Sequence, residues 1–237
     1  RLKGISKNEE VIITPKFDGL SLCVDEKTNE AWTRGDGEFG QKSDEHYKLI
    51  QNHLNLDEYS FIYTYGEVMI PKQVFIDKFS TDFANPRNLV AGLLNSKTVS
   101  DSLKDCQYIK YGAVCNTIFD TKQEVLNELN KGQKIKVQYY ICELGDLSEG
   151  LLIELFHKFS TEFEIDGLII ELNDLSLQNL ERERAALIQD LLSPSLDVEQ
   201  RQVQLKKRQR QLTDMERMVM RDERLLSSST DLVKNAF

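Results

Sequence analysis

In this 237-residue chain, every glycine and every aromatic residue except Phe237 lies in the first part. All 12 glycines lie at or before Gly167, and no aromatic residue occurs between Phe163 and Phe237. Aromatic residues favour sheets and glycine favours turns, so a sheet-containing domain is predicted to end soon after Gly167. The remainder of the chain is rich in Leu, Gln, Glu and Arg, which predicts helices. The sequence therefore predicts a domain at residues 1–173 and a helical appendage at residues 174–237.

Short apolar runs in the first part predict strands, and segments of helical spacing interrupt them. We expect strands at residues 11–13, 20–25, 30–34, 61–70, 107–119, 136–142 and 166–172. We expect helices at residues 44–54 with Asp44 as the cap, after Pro71, and at residues 89–94, 122–129 and 148–159. Strands joined by hairpins and interrupted by helices indicate an α+β domain and not a regular βαβ repeat.

The second part predicts two helices, separated by Ser193-Pro194-Ser195. Apolar residues recur seven apart in the second helix and form one stripe, at Val198, Leu205, Leu212, Val219 and Leu226. The companion stripe of a coiled coil is missing, because only one of the four positions expected for it is apolar. This pattern favours a helix that packs against residues 1–173 of the same chain or against another protein. The basic run at residues 206–210 fits either a phosphate contact or a solvated helix face.

Charge and cysteine usage narrow the class of protein. Residues from Asp174 onward hold 11 basic and 11 acidic side chains, so the whole net charge of −9 falls on the first 173 residues. These acidic residues 1–173 repel the phosphates of nucleic acid and would need another protein part to hold DNA.

The four cysteines are far apart and form no Cys-x-x-Cys pair, which argues against a zinc site or a disulfide framework. Each is expected to be a small buried hydrophobe.

No apolar run reaches the ~20 residues that span a bilayer, and no signal peptide opens the chain. A soluble, cytoplasmic protein is therefore expected. The chain begins at Arg1 without a methionine, which indicates a fragment.

The stretch VIITPKFDGLSLC, at residues 11–23, places Lys16 where a strand ends. Asp18 and Gly19 follow it, and the glycine lets the backbone approach a ligand closely. A lysine in such a place can act as a covalent nucleophile if its amine is unprotonated. The four-residue pattern Lys-x-Asp-Gly is too short to be diagnostic by itself.

Five further motifs come later in the chain, in the order WTRGDGEFGQ (32–41), YGEVMIP (65–71), FANPRNLVAGLLN (83–95), KYGAV (110–114) and EIDGLII (164–170). Together with the first, they resemble the adenylation domain of NAD-dependent DNA ligases, within the lysyl-nucleotidyltransferase superfamily. Asn-Pro-Arg-Asn is the most diagnostic, since ATP-dependent relatives lack it. The resemblance runs over residues 11–174 and implies an ATP-grasp-like fold of antiparallel sheets with flanking helices. No OB, zinc or BRCT module is detected behind it.

The resemblance implies an enzyme of nick sealing in DNA repair and replication. Lys16 would attack the adenylyl phosphorus of NAD, and the resulting lysyl-AMP would pass AMP to a DNA 5′-phosphate. Asp18 and Asp166 would complete the catalytic group. Arg34 would bind the phosphate or ribose of the adenylyl group. Arg87, at the opening of the helix at residues 89–94, would bind phosphate, and the alternative for Asn-Pro-Arg-Asn is a plain helix cap.

Two further residues complete the expected cofactor site. Glu67 would bind ribose hydroxyls or hold Mg²⁺ through water, and Tyr111 would lie beside adenine. Asp166 is the second expected Mg²⁺ ligand.

The chain departs from the family pattern at several positions. Glu171 stands where the family has a lysine, Asn95 where it has a second arginine, and Thr14 where a glutamate is usual. The final catalytic lysine of the family has no match, since Lys206 and Lys207 lie in a glutamine-rich helical context.

These departures leave alternatives open. Nicked double-stranded DNA is the expected partner, and a second chain could supply the helical domain that binds nicotinamide mononucleotide or the OB domain. One alternative is a catalytically impaired nucleotide-binding module whose tail mediates assembly. The other, an ATP-dependent RNA ligase or capping-type nucleotidyltransferase, is disfavoured by Asn-Pro-Arg-Asn.

Overall fold

The computed structural model describes residues 5–34, 40–50 and 61–192, together with residues 206, 207, 210–213 and 215. The packing of Cα atoms divides the chain into two compact units, residues 1–173 and residues 174–237. That each unit folds as an independent domain stays a prediction.

Within its described residues, the first unit contains seven strands and five α-helices. The strands are β1 (Glu10–Phe17), β2 (Leu20–Asp25), β3 (Ala31–Thr33), β4 (Phe61–Met69), β5 (Gln107–Cys115), β6 (Tyr140–Glu143) and β7 (Ile165–Leu172). The helices are α1 (Asp44–Tyr47), α2 (Lys72–Lys78), α3 (Pro86–Asn95), α4 (Lys122–Lys131) and α5 (Glu149–Phe159). Two 3₁₀ turns lie at Asp101–Asp105 and Leu144–Asp146.

The strands form two antiparallel sheets, which agrees with the expected mixture of antiparallel sheets and helices. One sheet has the order β6-β1-β7, and the other has the order β3-β2-β4-β5. β1 and β2 belong to different sheets, yet only Asp18 and Gly19 separate them. The chain around Lys16 therefore passes directly from one sheet to the other.

Each sheet buries one face against helices. The inner face of the four-stranded sheet, with Leu22, Val24 and Val68, packs in a core with Leu89 and Leu94 of α3. The three-stranded sheet packs against α5 in a second core made of Ile13, Leu155, Phe159 and Ile165. In β1, the residues from Val11 to Pro15 are buried in an unbroken run, so both faces of the sheet are covered at this central strand.

Several predicted elements are confirmed. β2 and β3 form the expected hairpin, in which Asn29 takes the left-handed backbone conformation with φ 56°. The helix predicted at residues 89–94 is present as α3, but it begins three residues earlier, because Asn85 caps it by accepting a hydrogen bond from the backbone N–H of Asn88. Ser148 caps α5 in the same way.

Other predicted boundaries are wrong, because side chains compete for the backbone. Asp44 does not cap α1; its Oδ1 accepts from the backbone N–H of Ala31 instead, and α1 ends at Tyr47. β6 begins at Tyr140 and not at residue 136, since the side-chain amide of Asn130 bonds both the N–H and the carbonyl of Val137. β5 ends at Cys115, four residues earlier than predicted.

The second unit contains α6 (Leu175–Leu192). Asp174 caps it, with Oδ1 accepting from the backbone N–H of Leu177. The described residues between 206 and 215 are helical, and Lys206, Lys207 and Arg210 are exposed. The predicted break at residues 193–195 and every residue of the apolar stripe except Leu212 lie outside the described residues. The helical appendage therefore stays a prediction.

In the described part of the chain, no helix is long and apolar enough to cross a membrane. All four cysteines are free thiols. The expectation that each is buried is wrong for three of them, since only Cys106 is buried, while Cys23, Cys115 and Cys142 are half-buried on partly exposed strands. Burial raises the pKa of all four thiols, that of Cys106 to about 12, which opposes thiolate chemistry.

Among the ion pairs of the described residues, the pair of Lys110 and Glu26 is expected to contribute most to stability. The Lys110 side chain is 1% exposed, and its Nζ donates to both carboxylate oxygens of Glu26, at 2.9 and 3.0 Å. Lys110→Met leaves the Glu26 carboxylate, whose side chain is 13% exposed, without its cation, so urea titration should show a loss of about 3–5 kcal/mol in the free energy of unfolding. Lys48→Met, which breaks an exposed pair with Glu45, should lose less than about 1 kcal/mol. Equal losses in the two variants would contradict this account.

Candidate functional site

A β-bulge at the end of β1 brings Lys16 and Asp166 together. Lys16 pairs with Gly167 and Phe17 pairs with Ile165, so Asp166 is the extra residue of the bulge. A bulged residue leaves the regular alternation of a strand, which re-aims its side chain. Asp166 Oδ2 accepts a hydrogen bond from Lys16 Nζ at 2.5 Å. The lysine side chain is 54% exposed, so the pair lies at an open surface of the sheet.

Arg87 meets the segment that follows Lys16. It is the second residue of α3, and its Nη1 donates to Asp18 Oδ1 at 2.6 Å. Asp18, and with smaller effects Glu67 and Asp166, raises the pKa of Arg87. Arg87 therefore lies among the carboxylates of both sheets, and its charge balances them.

Glu67 lies in β4 of the other sheet and is 8% exposed. Its Oε2 accepts hydrogen bonds from Ser21 Oγ at 3.0 Å and from the Tyr111 hydroxyl at 3.2 Å. Burial raises the pKa of Glu67, while these two hydrogen bonds and the charge of Arg87 oppose the shift. The carboxylate is thus held in a fixed orientation next to the crossing strands.

A second bulge presents Tyr111. Tyr65 pairs with Gly112 and Gly66 pairs with Lys110, so Tyr111 is the extra residue of β5. Burial, with the neighbouring charge of Glu67, raises the pKa of Tyr111 to about 12. Near neutral pH the hydroxyl is therefore protonated and donates to Glu67.

Arg34 directly follows β3 and is exposed. Its positive charge lowers the pKa of Tyr111, against the larger effect of burial. The structure therefore gives Arg34 an electrostatic effect on the pocket of Tyr111 and Glu67. The loop after it, residues 35–39, lies outside the described residues.

Open space lies beside Lys16. Gly167 is its cross-strand partner, so the two residues face the same side of the sheet. A Cβ atom at Gly167 would have no atom within 4 Å among those of the described residues. A glycine in a strand without a packing reason marks a place where a ligand can approach the backbone.

The positions that depart from the family pattern also have defined places. Thr14 and Glu171 face the same side of the sheet as Lys16. Thr14 pairs with Ile169 of β7, and Glu171 pairs with Ile12 of β1. Glu171 is four residue pairs from Lys16, roughly 13 Å along the strand. Asn95 ends α3 and is exposed.

Sequence reasoning missed Ser21, which bonds Glu67 directly. The two residues are partners across β2 and β4. The only signal that could have identified Ser21 is this register, which the sequence does not specify.

In the described ranges, no group of three or more His, Cys, Asp or Glu side chains is arranged to hold a metal ion. The two expected Mg²⁺ ligands make other contacts: Asp166 bonds Lys16, and Glu67 bonds Ser21 and Tyr111.

Glu67→Gln tests what it costs to bury this carboxylate. The amide oxygen accepts the same two hydrogen bonds without a charge. In the folded protein the pKa of Glu67 is raised above its ordinary value of 4.5. At a pH above the raised pKa, the buried carboxylate is ionised and lowers the free energy of unfolding of the wild type. Below pH 4.5 the group is protonated in both states and this loss of stability is absent. In urea titrations, E67Q should be more stable than the wild type at about pH 7.5, and the difference should shrink as the pH falls towards about 4.5.

Glu154→Gln on the exposed face of α5 is the control for this titration. Because this side chain is exposed, E154Q should change the free energy of unfolding less than E67Q does at about pH 7.5. A gain in E67Q that is the same at both pH values would show that burial of the charge is not its cause.

Comparisons with known proteins agree with the motif order. A family model described as the NAD-dependent DNA ligase adenylation domain matches residues 1–181. A DNA ligase of Petrotoga mobilis is 30% identical over 227 residues, which cover 86% of this chain and 33% of the relative. A DNA ligase of Mesoplasma florum is 32% identical over 195 residues, covering 73% of this chain and 28% of the relative. One of Acanthamoeba polyphaga mimivirus is 32% identical over 180 residues, covering 71% and 27%.

The chain spans about a third of the length of the curated relatives that it matches. The comparisons favour neither the impaired binding module nor the RNA ligase or capping-type transferase. The family match covers well over half of the chain and contains all seven residues predicted for the site. The chain belongs to the family of NAD-dependent DNA ligase adenylation domains.

Proposed function

We propose that this chain uses NAD to adenylate Lys16 and passes AMP to the 5′-phosphate of nicked DNA. The observation that carries the proposal is the convergence of Lys16, Asp166, Asp18 and Arg87 where β1 leaves its sheet, with Glu67 on the adjoining sheet. Such a group combines an amine nucleophile, a carboxylate that holds it and a guanidinium that can neutralise phosphate.

In the first step, Lys16 Nζ forms a bond to the adenylyl phosphorus, and the bond from that phosphorus to nicotinamide mononucleotide breaks. Asp166 Oδ2, already hydrogen-bonded to Nζ, orients the amine and takes up its proton. Arg87 exchanges its contact with Asp18 for the phosphate, and its charge offsets the negative charge that develops there.

The pocket of the second sheet would hold the nucleoside. Glu67 accepts hydrogen bonds from Ser21 and Tyr111, and ribose hydroxyls would extend that set. The ring of Tyr111 offers a face beside adenine, and Arg34 adds positive charge near it. Glu67 and Asp166 are the residues that would hold Mg²⁺ through water. When bound, the ion would neutralise phosphate charge.

In the second step, a DNA 5′-phosphate oxygen attacks the same phosphorus and the bond to Lys16 Nζ breaks, which restores the amine. The first 173 residues carry the net charge of −9, so they repel DNA phosphates. We propose that another part of a longer protein, or a second chain, supplies the contacts that hold nicked DNA. We place this activity in DNA replication and repair in the cytoplasm.

Lys16→Ala should abolish labelling by NAD that carries ³²P in its adenylyl phosphate, measured as label that stays with the denatured protein. Lys42→Ala is the matched control, because Lys42 has a similarly exposed side chain that also pairs with carboxylates. It should label like the wild type. Equal labelling of K16A and the wild type would reject Lys16 as the nucleophile, and labelling from ATP but not NAD would reject NAD as the donor.

Gly167→Val should block the nucleotide without disturbing the fold. The added side chain would enter the open space beside Lys16, and valine suits a strand. We expect lysyl-AMP formation to fall by at least about 10-fold while the melting temperature holds or rises. Gly150→Ala, in equally open space on α5, should leave labelling unchanged. Full labelling of G167V would show that the nucleotide does not occupy this space.

A further inference from the structure

The turn between α5 and β7, residues 160–164, lies next to two residues of the candidate site, Asp18 and Asp166. Phe163 anchors it in the interior at 4% exposure. The carbonyl oxygen of Glu164 accepts a hydrogen bond from the backbone N–H of Asp18 at 3.1 Å. Two residues further on, Asp166 meets Lys16. A displacement of this turn would therefore move the partner of Lys16 and the backbone of Asp18 together.

Lys72 holds this turn in place. Its Nζ donates to the carbonyl oxygen of Ser160 at 2.7 Å and lies 3.4 Å from Glu164 Oε2. Its backbone N–H donates to the carbonyl oxygen of Glu162 at 2.9 Å. Three contacts from one residue thus span the length of the turn. The Lys72 side chain is 30% exposed and that of Glu164 is 45% exposed.

Lys72 is also connected through the chain to the other sheet. It is the first residue of α2, which follows β4 after Ile70 and Pro71. β4 carries Glu67, whose side chain is part of the proposed nucleoside pocket. Lys72 therefore joins the strand that bears Glu67 to the turn that orients Asp18 and Asp166.

We infer that Lys72 is a positioning residue, which sets the placement of Asp18 and Asp166 relative to Glu67 without contacting the nucleotide. This inference rests on the proposed function, because the geometry it maintains is that of lysine adenylation. Reacting groups must be held within a fraction of an ångström, and a shift of about 1 Å can cost on the order of 100-fold in rate. Loss of the Lys72 ammonium group should therefore slow the chemical step more than it weakens nucleotide binding.

The test compares Lys72→Met with Lys78→Met in the full chain. Lys78 lies on the same helix, and its Nζ pairs with Asp105 Oδ1 at 2.7 Å, on the 3₁₀ turn before β5. Methionine keeps the apolar stem in both variants and removes the charge. In single-turnover labelling with adenylyl-³²P NAD, K72M should lower the rate constant at least about 10-fold, with the half-saturating NAD concentration changed less than about 3-fold. K78M should keep the wild-type rate, and Lys72→Arg should recover most of the loss.

A second measurement does not depend on activity. The amide proton of Asp18 should exchange with solvent faster in K72M than in the wild type, because the turn that accepts its hydrogen bond loosens. The amide proton of Phe79, which bonds the carbonyl of Phe75 in α2, should exchange at the same rate in both proteins.

The outcomes separate the two proposals. Unchanged exchange at Asp18, or equal rates for K72M and K78M, would overturn the role of Lys72 while the labelling of the wild type upholds the proposed function. If the wild type takes no label, the proposed function fails, and faster exchange at Asp18 alone would still show that Lys72 holds the turn. A large rise in half-saturating NAD concentration with an unchanged rate constant would mean that Lys72 binds the nucleotide and does not position the site.

Discussion

The backbone crosses from one sheet to the other within two residues, and the candidate site depends on this crossing. β1 ends at Phe17 and β2 begins at Leu20. A Cβ atom at Gly19 would lie 2.2 Å from the carbonyl oxygen of Val68, which leaves glycine as the residue that fits between the strands. The close contact holds the end of β1 against β4, the strand of Glu67. Two sheets with separate cores thereby present their polar side chains to one another.

Two β-bulges change the direction of side chains that would face another way in regular strands. Asp166 and Tyr111 are each the extra residue where two antiparallel strands slip by one. In an unbroken ladder, alternation would fix the side of the sheet that each one faces. The slip frees Asp166 to meet Lys16 and Tyr111 to meet Glu67. Two polar residues of the site therefore occupy places where the hydrogen-bond ladder is interrupted.

Sequence patterns predicted most of the elements but not these interruptions. Runs of β-branched and apolar residues predicted the strands, and turn residues predicted the β2–β3 hairpin. Both signals depend only on residues that are close in sequence. Boundaries were wrong where a side chain took a backbone partner from outside its own element, as Asp44 and Asn130 do. The single amide of Asn130 removes Val137 from β6, and the composition of that strand gives no sign of this.

The predicted site residues came from motif resemblance, and the structure brings most of them together. Lys16 with Asp166 and Asp18 with Arg87 form direct pairs, and the charge of Arg34 lowers the pKa of Tyr111. Ser21 and Lys72 could not be predicted, since their contacts depend on strand register and on a turn distant in sequence. Motifs identify residues that contact a substrate, whereas supporting contacts arise from the three-dimensional arrangement.

In the proposed mechanism, the contact between Arg87 and Asp18 affects how a nucleotide would bind. The guanidinium already has an anionic partner at 2.6 Å, so a phosphate that binds Arg87 would displace a carboxylate and would not meet an unopposed cation. Binding is then an exchange of one anion for another, and the electrostatic gain is the difference between two similar attractions. Such a swap restrains the affinity for free mononucleotides and inorganic phosphate. Selection among nucleotides then falls to the uncharged contacts of the base and ribose.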